Sequence, residues 1–151
     1  MIHYIVIMEE KIRELEISDK EFKALNKCTP DVRYRYTLKR IADTEAIWLI
    51  CNEDNDLVIQ AYDEECLLPM WSSREYAQAF CVGDFKDSIC KAVTLDFFVD
   101  SIIDVISENN LLIDVFPTQQ EGRGKVVDLN TFAEDLNKYL EDYEESISFM
   151  D

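Results

Sequence analysis

Residues 46–51 read Ala-Ile-Trp-Leu-Ile-Cys, an unbroken apolar run that ends at Asn52-Glu53-Asp54-Asn55-Asp56. Six apolar residues are too few for a buried helix and too continuous for a strand with one wet face, so the run predicts a buried strand. The polar stretch predicts a turn, and Leu57 to Tyr62 the returning strand of a β-hairpin. Upstream, Thr29-Pro30 opens a helix to about Ala42, with the proline in the first turn where its missing amide costs nothing. Val32, Tyr36 and Ile41 are its expected apolar side. Before it, Ser18-Asp19-Lys20-Glu21 has the form of a capping box and starts a short helix to about Asn26.

Downstream, Cys66 to Trp71 is a further extended stretch, stopped by a second capping box, Ser72-Ser73-Arg74-Glu75, whose helix ends near Gly83. Trp71 and Tyr76 occupy the two positions of a hydrophobic staple. Ile89 to Val93 reads as a strand, Thr94 as the cap of a helix to about Glu108, and Leu111 to Phe116 as another strand. A polar loop, Pro117 to Gly124, leads to a last strand over Lys125 to Leu129. Asn130 or Thr131 then caps a terminal helix through about Tyr143. The pattern predicts an α+β fold: a single domain over 18–143, a mixed or antiparallel sheet, about five helices, an N-terminal extension (1–17) and an acidic tail (144–151).

The chain has 151 residues and a formal charge of −17, unevenly spread. Residues 18–40 carry net +4 and residues 41–151 net −19, an acidic body with one basic end. Affinity for a phosphate backbone comes from cations displacing counterions, so direct nucleic-acid binding is not expected. The run Ile2 to Met8 is far too short for a membrane span and has no basic lead, so neither signal nor anchor is expected. Five cysteines without a C-x-x-C pair predict reduced, buried thiols in a cytoplasmic protein.

One histidine, His3, removes most Ser-His-Asp, Cys-His and multi-histidine metal arrangements. Three glycines, at 83, 122 and 124, leave no phosphate-cradling loop. Asn52 to Asp56 resembles the start of a calcium loop, yet Leu57 stands where that loop needs glycine. No catalytic residue, metal or cofactor is expected.

Three separated blocks resemble a known family. They are Arg35-Tyr36-Thr37-Leu38-Lys39-Arg40-Ile41-Ala42-Asp43 with Trp48 behind it, then Leu68-Pro69-Met70-Trp71 leading to Tyr76-Ala77, then Leu111 to Thr118 before Gly124 to Val127. Together, over about residues 18–140, they resemble the bacterial domain of unknown function 2750. The resemblance implies a small cytoplasmic bacterial protein and supplies a fold without a mechanism. Its shared residues look architectural. By size and charge the chain is also similar to immunity proteins that neutralise toxins.

One arrangement exceeds ordinary surface chemistry. Asp96, Asp100, Asp104 and Glu108 recur every four residues along a predicted helix, with Leu95, Phe98, Val99, Ile102, Val105 and Ile106 on the opposite face. Like charges at that spacing cost about 0.2–0.5 kcal/mol per pair, and no basic residue stands between Lys91 and Arg123 to relieve them. A projection at 100° per residue puts Phe97 inside the acidic arc as an anchor. The expected function is therefore non-enzymatic binding of a basic protein partner, in an immunity-type or regulatory role. The alternative is a small enzyme or ligand-binding domain using carboxylates, a thiol, or an anion site of Arg33, Arg35, Lys39 and Arg40 in a cleft. The charge asymmetry also allows a homodimer.

Overall fold

The computed structural model describes residues 12 and 14–150, with side chains to Asp142. Along the chain run α1 (Asp19–Lys27), α2 (Pro30–Thr44), β1 (Ala46–Cys51), β2 (Gln60–Tyr62), β3 (Glu65–Met70), α3 (Arg74–Phe80), β4 (Ile89–Thr94), α4 (95–108), β5 (Leu112–Val115), β6 (Lys125–Val127) and α5 (Leu129–Met150). Among the described residues these make an α+β fold of five helices and two sheets, β1-β4 and β2-β3-β5-β6. The expected extension 1–17 and His3 lie largely outside the described residues. The terminal helix passes the expected end near Tyr143 and continues to Met150.

Ser18 and Thr29 cap α1 and α2, accepting from the amides of Glu21 (3.1 Å) and Val32 (3.3 Å). Only half of the first capping box forms, because the Glu21 carboxylate turns to Arg40 at 2.9 Å. The second box does not close: Ser73 precedes α3 without a side-chain capping bond, and the helix stops at Phe80. Its staple is also redistributed. The Trp71 ring packs on Phe80 (5.3 Å between centroids), and Tyr76 packs on Phe116 (4.6 Å).

β1 is a buried strand, but its full-length partner is β4, antiparallel from Ala46 opposite Thr94 to Cys51 opposite Ile89. The segment after the turn is bonded to β1 at the Cys51–Leu57 bridge and by the Val58 amide on Ile50 O. It then leaves to form β2, which pairs with β3. The hairpin expected between β1 and 57–62 is therefore replaced by one between β2 and β3. At the turn Asn52 Oδ1 accepts from the amides of Asp54 (2.9 Å) and Asp56 (3.0 Å), and the β1 edge that Val58 meets at Ile50 is taken at Trp48 by Trp71.

The two sheets meet at two tryptophans. Trp48 N donates to Trp71 O (2.8 Å) and Trp71 N to Trp48 O (2.9 Å), joining β1 to the end of β3. β3 continues parallel to β5, and the Phe116 amide extends that ladder to Met70 O at 2.8 Å. One core cluster spans α2, both sheets, α3, α4 and α5. Among the cysteines only Cys51 is buried, which pushes its thiol up to about 11. Cys66 is exposed and the other three are half-buried, so the expectation of five buried thiols fails.

Trp71 is fully buried and its Nε1 donates to Pro117 O at 3.0 Å. Trp71→Ala should cost about 3–5 kcal/mol, because it opens a cavity and orphans a buried carbonyl at the sheet corner. Chemical denaturation measures this, and an unchanged midpoint would remove the tryptophan corner from the account.

Candidate functional site

The four basic residues of α2 do not converge. At 100° per residue Arg33 and Arg40 fall on one side, Arg35 and Lys39 on another. Arg33 is fully buried. Its Nη1 donates to Cys28 O (2.6 Å), its Nε to Phe116 O (3.3 Å), and its Nη2 pairs with Glu121 (3.2 Å). Arg40 pairs with Glu21 and covers the Tyr36 ring at 5.2 Å. Lys39 is exposed, and Arg35 lines an open cleft of about 650 Å³ between α2 and α5. The other two cations of that cleft are taken, Lys125 by Asp31 (2.9 Å) and Lys138 by Asp135 (3.6 Å). The expected anion site is therefore not assembled. The face of α2 was misassigned because Val32 is exposed, while Arg33, Tyr34, Thr37 and Leu38 turn inward.

Arg33 serves the loop between β5 and β6 instead. Phe116 has left-handed backbone (φ 57), a costly conformation for a large side chain. That turn delivers two successive carbonyls into the interior, Phe116 O to Arg33 and Pro117 O to the Trp71 indole. Farther along, Gln60 Nε2 donates to Gly122 O (3.0 Å), the Gly122 amide to Thr118 O (2.8 Å), and the Gly124 amide to Asp114 Oδ1 (2.6 Å). Gly124 is required by close approach, since a Cβ would collide with the Val115 and Phe116 carbonyls. The glycine-bearing loop, expected to be simply polar, is pinned by buried donors and acceptors.

The acids of α4 are arranged differently. Asp96, Asp100, Asp104 and Glu108 are all exposed, and none of the ion pairs found among the described residues involves them. Phe97 does not stand free on this ridge; it is half-buried against the core, whereas Val99, expected inside, is 55% exposed. The reason is a π-helical stretch, Phe98–Ile102, inside α4. Its wider turn adds a residue, so a 100° projection anchored on Ile102 to Ile106 is one position out of phase toward the N-terminus. Elsewhere, no group of three or more His, Cys, Asp or Glu suited to a metal ion occurs among the described residues.

Fold and site define a small α+β domain that spends its buried polar groups on holding a loop and keeps its unpaired charge outside. The chain matches the family described as Protein of unknown function (DUF2750) over residues 34–136, and it belongs to that family. No curated protein matches it. The match takes in α2 from Tyr34, the tryptophan corner, the pinned loop and α5 to Leu136.

Asp114 gives the loop a pH signature. It is fully buried, and burial pushes its carboxyl from 3.8 to about 6, against the opposing effects of the Gly124 amide, Arg123 and Arg33. Between those values the folded chain holds a proton that the unfolded chain releases, so this group's contribution to stability falls as pH rises through that window. In Asp114→Asn, which keeps an acceptor for Gly124, that decline should vanish. The midpoint of the variant relative to wild type should rise from about pH 4 to 6 and stay level above. A difference independent of pH would place the ionisation of Asp114 elsewhere.

Proposed function

We propose that this chain is a non-enzymatic binding domain, working in the cytoplasm, whose α4 face docks on a basic protein partner. The observation that carries this reading is a row of four exposed carboxylates with no cation partner, beside the 55% exposed Val99. An isolated helix would relieve such repulsion with interspersed lysine. A basic partner relieves it on contact, and a net charge of −17 raises the rate of encounter with that partner. Val99 supplies the apolar contact that the sequence assigned to Phe97. No described helix is long and apolar enough to cross a membrane.

The Asp100→Lys, Asp104→Lys variant separates a docking face from solvated surface. Removing like-charge repulsion should leave its thermal midpoint equal or slightly higher. Its affinity for the basic protein that the wild type captures should fall by at least about tenfold, and the salt dependence of binding should flatten. Calorimetry at two salt concentrations measures both. Full-strength binding by the stable variant would contradict the reading.

A further inference from the structure

Between β2, the Gly83–Phe85 turn and the loop 118–122 lies a pocket of about 470 Å³. Tyr62, Phe80 and Phe85 give it aromatic walls, with Gln60, Gln119 and Asp84 as its principal polar groups. No lysine or arginine lines it. A second groove of about 430 Å³ shares Asp84 and Phe85 with it and adds Glu53, Asp54 and Asp87, again without a cation. Asp84 thus lines both the aromatic pocket and the acidic groove beside it.

Gln60 shows which chemistry the cavity lacks. The residue is 3% exposed, and its Nε2 is committed to Gly122 O. That bond fixes the orientation of the amide, because only the nitrogen can donate to a carbonyl. Its Oε1 is then left as a buried acceptor with no donor. Asp114, whose Oδ1 accepts from the Gly124 amide, has a further buried acceptor in Oδ2. A buried acceptor without a donor carries a desolvation cost of about 1–3 kcal/mol, which an incoming N–H group removes.

We propose that this pocket binds a guanidinium group, presented as an arginine side chain of a basic peptide or protein. Aromatic walls favour a planar, weakly hydrated cation over a compact ammonium, and its fork of donors can serve a carbonyl and a carboxylate together. The chain already places guanidinium groups on its own rings, Arg74 over Trp48 at 4.5 Å and Arg123 over Tyr62 at 4.9 Å. Arg123 covers Tyr62 without lining the pocket, and Asp84 with the three further carboxylates of the adjoining groove outnumbers it. The site is independent of the α4 face. That helix leaves the end of the β1–β4 pair where the Leu95 amide meets Glu45 O, whereas the pocket and groove lie toward the other end, beside Asn52 and Ser88.

The test titrates the full chain with acetyl-arginine methylamide, acetyl-lysine methylamide and the neutral isostere acetyl-citrulline methylamide, following amide chemical shifts. Arginine should bind saturably, lysine at least about fivefold more weakly, and citrulline not at all. Asp84→Asn and Phe85→Ala, both at half-buried or exposed positions, should each weaken arginine binding about fivefold or more while the thermal midpoint holds. Equal binding of citrulline, absence of saturation, or undiminished binding by a stable Asp84→Asn, Phe85→Ala variant would overturn the proposal. So would binding of free arginine without binding of the capped residue, since the site would then be reading the α-amino or carboxylate group.

Discussion

A guanidinium with no solvent exposure stands at the centre of this molecule. Arg33 gives donors to carbonyls from two distant parts of the chain, Cys28 and Phe116, and meets the half-exposed carboxylate of Glu121. Removing a cation from water costs several kcal/mol, which is offset only when its donors are satisfied. Here the donors are what fasten α2 to the β5–β6 loop. The left-handed turn at Phe116 is tolerated because Arg33 and Trp71 take up the carbonyls it swings inward. From that point the loop is held at Gly122 and Gly124, and β6 is held against β5.

The same constraint distributes the charge. Arg33 is internal, and Arg40, Lys125 and Lys138 are engaged by carboxylates near them, so none of these four reaches the acids of α4. Carboxylates without a neighbouring base stand on α4, whereas at the groove Lys86 lies between Asp84 and Asp87 in the chain. These two surfaces lie toward opposite ends of the β1–β4 pair and differ in character. One is a convex helix with an exposed valine, the other a concave aromatic pocket with an unsatisfied amide oxygen.

Local signals in the sequence were reliable wherever one residue type has one local use. Ser18, Thr29 and Thr94 cap the helices they were expected to cap, and the strands at 46–51, 66–70, 112–115 and 125–127 stand close to where the apolar pattern placed them. Long-range choices were not legible. Nothing in residues 57–62 says that Trp71 will claim the same edge of β1 at Trp48, because antiparallel pairing depends on which edge is vacant. Arg33 was read as part of an anion site because its burial requires partners at Phe116 and Glu121, invisible to any local window. Phe97 and Val99 exchanged roles through a π turn, which leaves the composition of the helix unchanged. The unsatisfied Gln60 gave no signal at all, since the residue is unremarkable until the loop 118–122 closes over it.

Arg33 holds the β5–β6 loop and is not a surface cation. Hydrogen exchange on Arg33→Met at the Gly122 and Gly124 amides, read against amides of the β1–β4 pair, tests it most directly. Both loop amides should lose protection while β1 keeps more of its own, with a stability loss of about 3–5 kcal/mol from the carbonyls and carboxylate left behind. Unchanged protection at Gly122 and Gly124 in a variant as stable as the wild type would contradict it.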